Sequence, residues 1–157
     1  MYSSFTTSFE AFVFTKTAAG AILGGFCQRL EVWANCIFAV NVLAGGKKLV
    51  RFISRKRFLQ YFADSRKQRS NGIQVTQNAF NPRLFSARSA SDENKIYSLT
   101  VHSRFISCDC EDFKNQCQLL GENKPKACKH VYAVLKFMGY ATLSDYLNRT
   151  WDHRFRN

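Results

Sequence analysis

An α+β fold is expected, a small antiparallel β-meander with helices, and three observations carry that expectation. Segments between Gly72 and Cys108 alternate apolar and polar side chains, as half-buried strands do. Residues 128–138 instead place Val131, Val134, Leu135 and Met138 at i, i+3, i+4 and i+7, the spacing of one helix face. Two short pairs, Cys108-Asp-Cys110 and Cys128-Lys-His130, bracket the passage from strands to helix and can tie one to the other.

At 157 residues the chain suits one domain and is short for two ordinary ones. Its hydrophobic fraction of 46% can supply a core, and 15 Phe make that core aromatic. The net charge of +12 is uneven. Residues 1–46 are neutral, residues 47–107 carry 13 Lys/Arg against 3 acids, and residues 108–157 add only +2. A basic stretch of this kind is the electrostatic footprint of a polyanion partner. Its ordinary alternative is a solvated surface.

The first 46 residues hold two apolar runs, Ala18 to Cys27 and Val32 to Ala44, separated by Arg29 and Glu31. A membrane helix needs about 20 mainly apolar residues, and joining the runs would bury a charge pair, so no membrane span is expected. A buried helical hairpin and an apolar extension without a fold of its own both remain open for residues 1–46. The opening residues M-Y-S-S-F-T-T lack the basic n-region of a signal peptide, so the six cysteines fit a reducing, cytoplasmic setting better than a disulfide scaffold.

Gly45-Gly46-Lys47-Lys48 marks a boundary, and residues 47–95 read as a basic helix followed by strands. Ser54 is a suitable N-cap, and Ile53 can pack on Phe58 as a hydrophobic staple. Phe58, Leu59 and Phe62 form an apolar stripe, and the helix should fade near Ser70-Asn71-Gly72. Arg55, Lys56 and Arg57 occupy its first turn, at the positive end of the helix dipole, where cations are disfavoured by tenths of a kcal/mol, roughly. An external anion is one reason to accept that cost. A strand is expected at 72–77, with Ile73 and Val75 on one face. Leu84–Arg88 should pair with Lys95–Val101 across a polar turn, and Phe105–Cys108 should return beside it. After the helix of 128–138, Gly139 suits the C′ position, and Thr142-Leu-Ser-Asp145 fits a capping box opening one more helix.

Cys108, Cys110, Cys128 and His130 are the ligand set of a closed structural zinc site, one Zn²⁺ per chain with tetrahedral N/S ligands. Cys108 and Cys110, at i and i+2 on a strand end, project to the same side. Cys128 and His130 lie about 200° apart on a regular helix, so they must occupy its irregular entry. There the free N–H groups of the helix stabilise thiolates. Lys126 and Lys129 flank the site and offset its formal charge. Cys117 lies in the spacer and is either a substitute ligand or, as favoured here, a free or loop-packed thiol. Cys27 and Cys36 fit apolar burial, and His102 and His153 have no partners at ligand spacing.

C-x-C, a variable spacer and C-x-H leading into an apolar helix resembles the SWIM zinc finger family. The strand Ile96-Tyr-Ser-Leu-Thr-Val101, the segment Cys108-Asp-Cys110-Glu-Asp-Phe113 and the helix start Cys128-Lys-His130-Val-Tyr-Ala-Val-Leu135 carry the resemblance. It covers residues 96–138, and residues 50–147 look like small stand-alone bacterial members. The resemblance implies a ββα-like finger with C-terminal helices over residues 96–150, one zinc, and binding to DNA or protein.

No P-loop, H-E-x-x-H or deaminase signature occurs, and a saturated zinc site leaves no open position, so a non-enzymatic module is expected. Nucleic acid, DNA foremost, is the expected partner. Phosphate contacts would come from Arg55, Lys56, Arg57, Arg66, Lys67 and Arg69. Tyr97, Phe113 and Tyr132 can stack bases but suit core packing better. The alternative is a docking module for a larger recombination, transposition or replication enzyme, with the basic stretch meeting an acidic protein surface.

Overall fold

The computed structural model describes residues 8–89, 92–121 and 124–152. It is an α+β chain. Among the described residues six α-helices accompany two antiparallel sheets, one of three strands and one of four. The described backbone groups into two compact units that divide between Asp64 and Ser65, inside a helix.

The first unit overturns both readings of residues 1–46. Helices α1 (Ser8–Val13) and α2 (Lys16–Leu23) precede a meander of β1 (Phe26–Val32), β2 (Cys36–Val42) and β3 (Lys48–Ser54). The second apolar run is thus strand β2, not half of a helical hairpin. Its residues are apolar on both faces except Asn41, and such a run hides its period of two. Cα pairing places Ile37 opposite Ile53 and Ala39 opposite Leu30 on one face, and Phe38 opposite both Glu31 and Phe52 on the other. The first face packs on Val13, Phe14, Ala18, Ala19 and Phe58.

Asn41 is fully buried on that face because it serves the end of α2. Its Nδ2 donates to Gly24 O at 2.9 Å, a carbonyl that the helix C-terminus leaves unpaired, and to Ala19 O at 3.4 Å. Thr15 Oγ1 caps the other end, accepting from Ala18 N at 3.1 Å.

Helix α3 (Arg55–Arg69) follows β3 without a loop. Ser54 Oγ accepts from Arg57 N at 3.2 Å, and Ile53 and Phe58 are buried in one cluster, as cap and staple require. Leu59 departs from the expected stripe and is 43% exposed.

In the second unit, β4 (Gln74–Gln77), β5 (Leu84–Ser89), β6 (Asp92–Val101) and β7 (Ile106–Cys108) form a meander in sequential order. Phe85 pairs with Leu99, and Leu99 with Cys108, so alternate residues of three strands share one buried face. Helix α5 (Lys129–Phe137) lays Val131, Val134 and Leu135 onto it. Helix α6 (Leu143–Asp152) adds Tyr146, and its capping box is formed. Thr142 N donates to Asp145 Oδ2 at 3.0 Å and Asp145 N to Thr142 Oγ1 at 3.1 Å. Gly139 has φ +83°, the left-handed conformation of a helix terminator. The spacer between the Cys pairs is not a plain loop. It contains α4 (Glu111–Leu120), whose Phe113 and Gln116 are buried.

Candidate metal centre

Strand pairing and the bend that follows it place the first two candidate ligands. Cys108 ends β7 opposite Leu99, and Asp109 locks the bend after it. Asp109 N donates to Ser98 O at 3.2 Å, and Asp109 Oδ1 accepts from Ser98 N at 3.1 Å. Cys110 then serves as N-cap of α4, with Sγ accepting from Phe113 N at 3.4 Å. Cys128 is N-cap of α5 in extended conformation, φ −86° and ψ 174°, and His130 is the second residue of that helix. The irregular helix entry is what lets residues two apart converge. Two helix N-termini therefore open at the cluster, each with free N–H groups that favour negative sulfur.

The donor atoms of Cys108, Cys110, Cys128 and His130 lie within 4.8 Å of one another, and all four side chains are buried. These four could hold one metal ion. His130 Nδ1 stands 3.8 Å from Cys108 Sγ and 3.9 Å from Cys128 Sγ. Its ring packs against that of Tyr97, with centroids 4.2 Å apart and planes tilted by 32°. Three buried thiols at this distance cannot all ionise unaided. Hydrogen bonds from Cys108 and Cys128 hold the Cys110 thiol far below its ordinary range, while the bond to Cys110 drives Cys108 far above it. A cation that displaces the retained protons removes this conflict, which is the chemical fit of the donor set to a metal.

Two supporting interactions went unforeseen because they come from α4. Gln116, buried, donates from Nε2 to Ala127 O at 3.3 Å and accepts from Ala127 N at 3.2 Å. Asp112, in the first turn of α4, takes a two-pronged ion pair from Arg66, Nε to Oδ2 at 2.9 Å and Nη2 to Oδ1 at 2.6 Å. The acidic pair Glu111-Asp112 directly after Cys110 was the available signal for a helix start.

Cys117 lies on α4, exposed, and outside the cluster. Cys27 is buried and Cys36 half-buried. The His102 ring stacks on Phe105 at 4.2 Å, while His153 lies outside the described residues. Phe113 is buried, and Tyr97 and Tyr132 pack against the same core. Lys129 faces a cavity of about 240 Å³ beside the cluster, which Arg66, Arg69, Tyr97, Asp112 and His130 also line.

The six expected phosphate-contacting cations divide. Arg55 is committed internally: it pairs with Glu10, donates from Nη2 to Trp33 O at 2.8 Å and lies over the Phe14 ring. A carboxylate of the chain itself, that of Glu10, thus meets one of the three cations at the helix start. Arg66 is 7% exposed and taken by Asp112. Lys56 and Arg57 in the first unit, and Lys67 and Arg69 in the second, have exposed side chains. No helix among the described residues is long and apolar enough to cross a membrane. Comparison with protein-family models, with curated proteins and with solved structures gives no match.

Proposed function

We propose that the second unit is a structural zinc module of SWIM type and that the protein binds nucleic acid, DNA foremost, through its basic surface without catalysis of its own. The observation that carries the proposal is the buried, mutually close Cys108, Cys110, Cys128 and His130 set. Tetrahedral zinc with Zn–S of about 2.3 Å and Zn–N of about 2.0 Å needs donors roughly 3.5–3.8 Å apart. The two sulfur–Nδ1 separations of 3.8 and 3.9 Å are already close to that. Soft thiolates select zinc over hard cations. Four protein ligands fill a tetrahedral shell, so the metal has no position for a substrate.

The SWIM reading draws support from the order of parts. A β6–β7 hairpin delivers C-x-C, and the entry of α5 delivers C-x-H. The nucleic-acid reading draws support from the charge of residues 47–107 and from Lys56, Arg57, Lys67 and Arg69 at the surface.

Elemental analysis of protein purified without added metal tests the first part, with about one zinc per chain expected. Binding to labelled duplex and single-stranded oligonucleotides, with and without zinc, tests the second. A zinc-loaded protein that binds no oligonucleotide at low salt would leave the basic stretch to an acidic protein surface.

A further inference from the structure

One face of the three-stranded sheet in the first unit is covered by helices, and the other presents aromatic rings. Register puts Phe38 and Phe52 side by side on this second face. Trp33, in the turn between β1 and β2, stacks on Phe38 with centroids 5.9 Å apart and planes 11° apart. Its centroid is 5.4 Å from that of Phe52. Burial does not explain these rings, since Trp33 is 47% and Phe52 61% exposed. Large side chains left at the surface as one cluster mark a contact surface.

The charge around the rings narrows what that contact is. By register Arg29 and Lys48 share the ring face with Glu31, whereas Arg51, opposite Ala39, belongs to the helix-covered face. Glu31 is already engaged: Arg29 Nε donates to it at 2.7 Å and Trp33 Nε1 at 3.2 Å. Arg29 also lies over the Phe38 ring, 5.8 Å from its centroid. A second copy of the chain would bring like charges together. A polyanion that also offers flat apolar faces matches both features. Unpaired bases do so, whereas a duplex hides base faces in its own stack.

We infer that the Trp33–Phe38–Phe52 face is a stacking platform for single-stranded nucleic acid, with Lys48 beside the backbone of the strand. This rests on the nucleic-acid reading above and adds to it a surface, a strand state and a role for the first unit.

The test measures anisotropy of a labelled oligothymidylate and of a labelled duplex with zinc-loaded full-length protein. Three variants are compared with wild type: Trp33→Ala/Phe52→Ala, Trp33→Phe/Phe52→Tyr, and Lys56→Glu/Arg57→Glu/Lys67→Glu/Arg69→Glu. Stacking contributes enough per base that losing two rings should weaken oligothymidylate binding by tenfold or more, roughly. Duplex binding should change less than about twofold, since phosphate contacts remain. The ring-preserving variant should bind like wild type, which separates stacking from damage to the fold. Equal oligothymidylate affinity for wild type and the alanine variant, with binding lost in the charge-reversed one, would overturn the platform and leave the nucleic-acid reading standing. No binding by wild type would overturn both. A dimer that the alanine variant dissolves would assign the face to a second copy and overturn the inference.

Discussion

Gln116 and Ala127 are joined by two hydrogen bonds, side-chain amide to backbone amide, at 3.3 and 3.2 Å. Ala127 immediately precedes Cys128, and Gln116 sits on the helix that Cys110 caps. One glutamine thus holds the two halves of the ligand set in register. Gln116→Ala should leave the half-buried Ala127 groups without this partner, at a cost of about 1 kcal/mol. The expected outcome is unchanged metal stoichiometry with faster metal loss to a chelator and a lower melting temperature. Unaltered chelator kinetics would show that the two helix entries are positioned by other contacts.

Replacement of Cys108, Cys110, Cys128 or His130 by Ala should abolish stoichiometric zinc. Metal binding supplies on the order of 10 kcal/mol of coupled folding in finger peptides, so the ligand variants should lose amide protection in residues 96–138. Cys117→Ala should keep its zinc, because that thiol lies on α4 outside the cluster. Zinc content measured across this set distinguishes the four ligands from the remaining cysteines.

Arg66 and Arg55 were expected to meet phosphates and instead meet Asp112 and Glu10. Four of the six cations are then left, and neutralising about four phosphates on duplex DNA gives a slope of log K on log salt near −3.6, roughly, where six would give about −5. Arg66→Ala should leave this slope unchanged. It should lower the stability of the second unit by about 1–2 kcal/mol, since hydrogen bonds to a charged group are lost but Asp112 is partly solvated. A shallower slope in Arg66→Ala would return that residue to the phosphate-binding surface.

The Cys108, Cys110, Cys128 and His130 cluster, β5 to β7, α5 and α6 were legible because their signals are local. Period-two alternation, the 131–134–135–138 stripe and the Thr142–Asp145 box each lie within a few residues. The meander of the first unit was not, because β2 is apolar on both faces and the reason for Asn41 lies 17 residues away at Gly24. The fates of Arg55 and Arg66 depend on carboxylates 45 and 46 residues distant, which charge counting along the chain cannot pair. Helix α4 was concealed by treating the segment between two ligand pairs as spacer, although Phe113 and Gln116 at i and i+3 already mark a buried face.

Gly24 and Gly25 offer a paired test of the first unit. Both have positive φ, +80° and +78°, and Gly24, with ψ 148°, lies in a region used almost only by glycine, where a residue with a Cβ costs about 1–3 kcal/mol. A Cβ on Gly24 would meet nothing within 4 Å, so Gly24→Ala should carry that backbone cost alone. A Cβ on Gly25 would come within 2.3 Å of Val42 O, where β1 begins beside the end of β2. The obstacle is backbone, which cannot rotate away, so the strands themselves must shift. Gly25→Ala should therefore destabilise the unit by at least about 2 kcal/mol more than Gly24→Ala, the range of overpacking and strain. Denaturant titration followed by Trp33 fluorescence, in protein with Trp151→Phe, measures the difference directly. Equal midpoints for the two variants would mean that β1 and β2 are not held as closely as their pairing at Phe26 and Val42 requires.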